Sequence, residues 1–542
     1  MYLSRKFHEH FRKVFISVNQ NKPSSQNIST PSETDTFADV LIDSKSRLYI
    51  IVAALLALFL SALDTLIMGA AMPSIVADLG GLHLYSWVFS VYLLTRAISL
   101  PIFGKLCDLI DSKKLYIVSI IIFLLSSIFA GVSYSMVQLT LSRALQGIGA
   151  GGNFALAYIV LADISPPEKR GKMMALISFV WGLSSVLGPT LGGFIVNYFS
   201  WRWIFFINIP LGGLALVGIT LYLKETREKK REASIDYLGA LTLSMIILTL
   251  LTAFMLGERT YRWTSPQILG LLVIALISGI SFYYVEKRAM EPILPLSFFR
   301  IQGFSFGNGS AFFASFGIFS VSAFSPLFIQ GALGKSPIEM GIAMVPLSLG
   351  WSIGALACGQ MIHLLKEKPS ALLGSGLLVA GSCLTLSFSI STSLTMFSIV
   401  LAVAGLGMGF VSIATLLLVQ NSVSDSDLGV ATASHQFSRT LGGTIGIGIS
   451  GSFVTAKLSK TINGLANSGF SDQMPFKIPA HMYHSVEALF KPEVQSLLSA
   501  DVQKALQEAV AQGVSMVFWG AAITAFVCLF FSYKLPAGKD IS

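Results

Sequence analysis

Residues 48–76 read LYIIVAALLALFLSALDTLIMGAAMPSIV, an apolar run holding one carboxylate, Asp64. A helix crosses a hydrocarbon layer in roughly 20 residues, so the run is long enough to span a membrane. A charged Asp at the centre of such a helix costs roughly 2.5–3.5 kcal/mol on insertion scales. Asp64 therefore faces a water-filled recess, pairs with a cation or carries a proton; the plain alternative is a protonated acid bonding a neighbouring helix. Reversible proton binding is the functional reading, because buried acids in helical bundles serve as proton carriers.

The pattern repeats almost to the end of the chain. With 53% hydrophobic and 12% charged residues and a mean hydropathy of +0.71 over 542 residues, composition excludes a soluble domain. The expectation is an all-α polytopic membrane protein. Its spans fall near 48–76, 83–103, 115–133, 135–161, 173–198 and 203–223, then 237–257 and 266–285, then 304–330, 338–362, 370–390, 394–420, 432–454 and 512–533. Charged loops set off the middle two, giving two six-helix bundles with two extra central helices, about fourteen spans in total. The implied units are 48–224, 225–303 and 304–534, with tails at 1–47 and 535–542.

Lysine and arginine set the expected orientation. Alternate loops hold Lys105, Lys113, Lys114, Lys169, Arg170, Lys172, Lys287, Arg288, Lys366 and Lys368, whereas the opposite loops hold chiefly Arg202, Arg259, Arg262 and Lys335. The positive-inside rule then puts both termini in the cytoplasm. The net charge of +9 reflects topology and anionic headgroups, and no basic and aromatic interleaving points to nucleic acid. Residues 1–18 place Leu3, Phe7, Phe11, Val14, Phe15 and Val18 at helical spacing among basic residues, which suits an interfacial amphipathic helix; 19–46 reads as a flexible linker. An extracytoplasmic loop is expected at 455–511, with a helical pattern through Val502, Leu506 and Val510. Cys107, Cys358, Cys383 and Cys528 lack paired spacing and read as packing residues, not a disulfide or zinc set.

Motifs carry the reading to a family. Residues 104–114, GKLCDLIDSKK, lie between the second and third spans and resemble the loop signature G-x-L-x-D-x-x-G-R-[RK] of the major facilitator superfamily. The resemblance gives Gly104, Asp108, Lys113 and Lys114 a gating role, with the Asp108 carboxylate meeting the N-terminus of a helix from the other half. Asp111 stands where the family has glycine, and Ser112 where it has arginine. In the fourth span, RALQGIGAGG at 143–152 is similar to the family's R-x-x-Q-G-x-G-x-x pattern. Arg143 cannot lose its proton, so its field would help Asp64 release one; alternatively it ties helices together through backbone carbonyls. The fifth span carries GPTLGG at 188–193, which resembles the antiporter motif through Gly188, Pro189, Gly192 and Gly193. In the family this motif accompanies exporters.

LDTLIMGAAMP at 63–73, WRWIFFINIP at 201–210, GVATA at 429–433 and RTLGGTIG at 439–446 narrow the resemblance to fourteen-helix drug:proton antiporters. That family implies alternating access, export of amphipathic compounds, a proton gradient and no cofactor, protons, small substrate and lipid as partners, and a functional monomer. Together with the lack of a targeting segment, it suggests a bacterial inner (plasma) membrane. Arg96 departs from the family pattern and joins Arg143 and Arg439 as a third intramembrane cation against one acid. A lone buried Arg pairs with Asp64, a backbone carbonyl or an anionic ligand. This balance should favour monovalent cations, neutral amphiphiles or anions over dications. Further candidate liners are Gln146, Asn308, Gln360 and Gln420, each with a plain helix-bonding alternative. His435, one turn before Arg439, reads as a polar boundary residue. No nucleophile, metal-ligand or nucleotide-binding constellation suggests an enzyme. Two alternatives stay open, an exporter of an endogenous lipid, fatty acid or other anion, and a transporter-like sensor that binds without turnover.

Overall fold

A bilayer leaves no water to satisfy backbone polar groups, so a chain this apolar must close its hydrogen bonds within helices. The computed structural model describes residues 44–79, 84–224, 236–257, 261–335, 337–424, 427–467 and 500–536. These hold the long helices α1 (Ser44–Leu79), α2 (Tyr85–Leu109), α3 (Ser112–Gly131), α4 (Met136–Asp163), α5 (Pro167–Tyr198), α6 (Asn208–Tyr222) and α7 (Tyr237–Leu256). The series continues with α8 (Pro266–Arg288), α9 (Gln302–Leu327), α10 (Pro337–Leu365), α11 (Glu367–Thr385), α12 (Leu394–Asn421), α13 (Leu428–Asn467) and α14 (Ala500–Lys534). Among the described residues, twelve helical stretches are long and apolar enough to cross a membrane. The two long helices outside that set are α11, which opens on Glu367 and Lys368, and α13, which carries Thr432, Ser434, His435, Gln436, Ser438 and Arg439.

Several ends differ from the sequence expectation for identifiable reasons. The sixth span starts with a separate turn, Trp203–Phe206, and resumes at Asn208. Pro210 has no N–H to give the Phe206 carbonyl, so the ladder breaks there. After α9 the chain passes through a π turn, Phe328–Ala332, and leaves it at Gly334, whose φ of 63° suits glycine. Both helices flanking the expected 455–511 loop are longer than expected. The pattern through Val502, Leu506 and Val510 is the start of α14, because Leu506 and Val510 are buried against the second bundle and stabilise the extra turns. The expected amphipathic segment at 1–18 lies outside the described residues.

Small residues set the close helix approaches, as they do where packing rather than hydrophobic transfer drives association. A Cβ on Gly149 would lie 2.6 Å from the Phe123 backbone nitrogen of α3, and one on Gly151 would lie 2.7 Å from the Arg96 carbonyl of α2. The glycine run of α4 is therefore a packing surface. The α7–α8 hairpin does not stand apart. Leu243, Ile247 and Leu251 of α7 cluster with Leu94 and Ala97 of α2, and Phe437 and Leu441 of α13 pack on the same cluster. Lys105 Nζ bonds Glu291 Oε2 at 3.1 Å beyond α8, and Trp263 Nε1 donates to Ser452 Oγ of α13 at 2.6 Å. The inserted pair thus covers the seam between the bundles and is tied to both.

At the start of α6, Asp78 Oδ2 accepts from Arg202 Nη1 at 2.7 Å and from Trp201 Nε1 at 2.9 Å, linking the end of α1 to the corner before α6. The Arg202 bond, then the Trp201 bond, hold the Asp78 carboxyl below its ordinary value. A depressed carboxyl contributes stability above its unfolded pKa, about 3.9, and loses it as pH falls through the folded value. Asp78→Asn should lower the thermal midpoint at neutral pH by a small amount, and the difference should vanish in acid. A difference that persists unchanged in acid would show that Asp78 acts through something other than its charge.

Candidate functional site

Asp64 and Arg143 meet in the middle of the first bundle. Arg143 Nη1 lies 2.5 Å from Asp64 Oδ2, and each side chain is 1% exposed. Position follows from helix packing: α4 is stripped to glycine on the faces toward α2 and α3, which brings Arg143 beside α1. The Arg143 guanidinium also lies 4.0 Å over the Tyr92 ring of α2. Two further amides complete the shell. Gln146 Nε2 donates to Asp64 Oδ1 at 2.9 Å and to Ser127 Oγ at 2.8 Å, while Gln146 Oε1 accepts from Arg143 Nη1 at 2.6 Å. Asn208 Nδ2 donates to Asp64 Oδ1 at 3.3 Å and to Ser127 Oγ at 3.1 Å. Arg143 Nε and Asn208 Oδ1 are buried without a hydrogen-bond partner.

The Asp64 carboxylate thus accepts from Arg143, Gln146 and Asn208 together, and removing either charge would leave its partner buried without a counter-ion. Sequence reasoning placed Asp64 with Arg143 but missed Asn208, Ser127 and Tyr92. Asn208 could have been found as a polar residue inside the apolar run IFFINIP. Gln146, expected among cavity liners, sits instead in this network. Asn308 and Gln420 likewise bond between helices, to Ser438 Oγ at 3.2 Å and to Thr432 Oγ1 at 2.9 Å, and Gln360 is exposed on α10. His435 is fully buried, its Nε2 2.8 Å from Thr415 Oγ1 of α12.

A second cluster joins the halves at the end of the bundle bearing the 104–114 loop. Asp108 Oδ1 accepts from the Gly429 amide at 3.0 Å and Oδ2 from the Val430 amide at 2.9 Å. These are first-turn amides of α13, unpaired within the helix and at the positive end of its dipole. Gly104 allows the approach: a Cβ there would strike Ala433 Cβ and lie 2.9 Å from the Gly429 carbonyl oxygen. Asp111, which replaces the expected glycine, caps α3 by accepting from the Lys113 and Lys114 amides at 2.9 and 3.1 Å. Ser112 takes a bond from Cys107 at 3.3 Å. Lys114 is largely exposed, with Nζ 3.9 Å from Asp111 Oδ2.

Helix α5 meets α10 at the same end. A Cβ on Gly171 would lie 2.9 Å from Ile362, and Ser352 Oγ donates to the Ser178 carbonyl at 3.2 Å. Further along, α5 leaves α10 and leans on α1: a Cβ on Gly188 would lie 2.8 Å from Leu66 Cβ. Gly188 is thus a contact glycine of the 188–193 motif, while a Cβ on Gly193 would meet nothing within 4 Å.

Comparison with known proteins agrees with this architecture. The family model described as Major Facilitator Superfamily matches residues 54–447. The chain is 35% identical over 491 residues to Multidrug transporter protein MdtP of Bacillus subtilis (strain 168), covering 88% of this chain and 91% of the relative. It is 32% identical over 482 residues to Multidrug resistance protein 3 of the same organism, covering 88% and 93%. Among solved structures, the human organic anion transporter MFSD10 superposes with a TM-score of 0.57 at 16% identity, over 88% of this chain and 99% of the other. The proton:xylose symporter XylE superposes with a TM-score of 0.57 at 14% identity, over 91% and 96%, a likeness of fold. With half-to-half contacts at Asp108 and Gly104, a buried ion pair at Asp64 and these matches, the chain belongs to the major facilitator superfamily.

Proposed function

We propose that this chain exports amphipathic compounds in exchange for protons, by alternating access between the halves 48–224 and 304–534. The observation that carries the reading is the buried Asp64–Arg143 pair with its amide shell. The multidrug names of relatives at 35% and 32% identity support the substrate class. If the lysine-rich loop end is cytoplasmic, contacts at Asp108–Gly429 and Gly171–Ile362 close the inner side, and the state described is the one that awaits a proton from outside. Protonation of Asp64 frees Arg143 and loosens the first bundle; the halves turn, substrate enters from the cytoplasm or inner leaflet, and the proton leaves as Asp64 regains Arg143. Proton and substrate thereby exclude one another. A potential contributes about 2.3 kcal/mol per charge per 100 mV, so exchange of one proton for a monovalent cation is driven by the pH gradient alone, whereas a neutral substrate also uses the potential.

The test is reconstitution in liposomes enclosing a pH-sensitive dye, with an acid-outside gradient and a panel of cationic, neutral and anionic amphiphiles. Substrate-dependent proton movement is expected with at least one of them. Proton movement indifferent to every compound would remove the exporter reading and favour a ligand sensor without turnover.

A further inference from the structure

The other two intramembrane arginines lie on α2 and α13, helices that pack together at the seam between the halves. The Arg96 guanidinium of α2 lies 4.5 Å from the centre of the Phe154 ring and 5.2 Å from that of Trp181. The Arg439 guanidinium of α13 lies 5.3 Å from Trp351 of α10. Arg96 is within electrostatic reach of Arg439, and Tyr158 is close to both. Arg96, Trp181, Trp351 and Arg439 all keep partial surface access. Among the described residues, neither arginine has a carboxylate within ion-pair distance. Their polar neighbours are neutral: Gln436 Oε1 accepts from Arg439 Nη1 at 3.1 Å, and the Tyr158 hydroxyl lies near Arg439. Arg439 Nε and Gln436 Nε2 are buried with no partner.

These leftover groups are all donors, since guanidinium has no acceptor and the Gln436 oxygen is already engaged. Two like charges brought together away from bulk water repel, and cation–π contacts do not offset the cost of desolvating each ion. We propose that this seam binds an amphiphilic anion, its carboxylate, sulfonate or phosphate head between Arg96 and Arg439 and its apolar body against Trp181 and Trp351. Planar guanidinium forks suit such heads. Arg96 and Trp181 belong to the first half, and Arg439, Gln436 and Trp351 to the second, so the bound anion bridges the halves. The inference rests on the transport reading above only in treating this seam as the substrate path.

The test is calorimetric titration of the full chain in lipid nanodiscs, corrected with empty discs, using naphthalenesulfonate and its cationic counterpart naphthylmethylammonium. The sulfonate should bind at least about tenfold tighter than the cation, and Arg96→Gln or Arg439→Gln should each weaken the sulfonate at least about tenfold without weakening the cation. Arg96→Lys should retain the preference for the anion. If a glutamine variant fails to fold, the charge preference of the wild type still decides. Equal or cation-favouring binding in the wild type overturns the proposal, as does sulfonate affinity unaltered by either glutamine variant. The titration reads binding alone, so absent proton movement in liposomes would remove the exporter reading and leave this outcome standing.

Discussion

Asp64→Asn is expected to reduce substrate-driven proton movement to the level of protein-free liposomes, at least about a hundredfold, because an amide cannot carry the proton. The substitution also strands Arg143. Breaking a buried ion pair by removing one partner costs about 3–5 kcal/mol, since the remaining charge stays desolvated. Nothing else nearby can take its place: Gln146 and Asn208 are neutral and already bonded to Ser127. Asp64→Asn should therefore lower the thermal midpoint as well as stop proton movement. The double variant Asp64→Asn/Arg143→Gln separates the two effects, because residues in direct contact couple non-additively. It should regain most of the lost stability and none of the proton movement. Recovery of substrate-driven proton movement in the double variant would remove Asp64 as the proton carrier.

Gly104→Val should have the second large effect, on the latch between the halves. A Cβ at residue 104 collides with Ala433 and the Gly429 carbonyl, so α2 and α13 must separate at the loop end. Separation draws Asp108 off the Gly429 and Val430 amides, removing two charge-assisted hydrogen bonds of about 1.5–3 kcal/mol each. An equilibrium shifted by that much leaves the closed state scarcely populated, and turnover should fall at least about tenfold. Spin labels at Lys113→Cys and Asn421→Cys, one on each half at this end, should report a longer distance in the variant. An unchanged distance with normal turnover would mean that the latch does not set the conformational balance.

Much of this is legible in the sequence. Asp64 and Arg143 stood out because charge inside an apolar run has few physical explanations, and the two were the natural partners. The glycines of α4 announced close packing for the same kind of reason, since their main use in a membrane helix is to admit a neighbour. Less legible were residues whose role depends on a partner distant in sequence. Asn208 looks like one more polar residue until α6 is placed beside α1. Gln146, Asn308 and Gln420 looked equally able to line a cavity or to bond between helices, and their helical faces alone could not decide between these. Asp111 stands where the family has glycine, and only the structure shows that its side chain caps α3.

The sequence by itself determined the helical, membrane-crossing class, the superfamily and the identity of the buried acid, because hydropathy, helix length and short motifs are local properties of the chain. Tertiary structure alone decided that the inserted hairpin covers the α2–α13 seam, that the halves close at the Asp108 end, and that Arg143 has the acid while Arg96 and Arg439 stack on aromatic rings at the seam. The reason is physical: an arginine's role depends on what lies within a few ångströms of it. Those neighbours come from helices hundreds of residues apart, which only packing brings together.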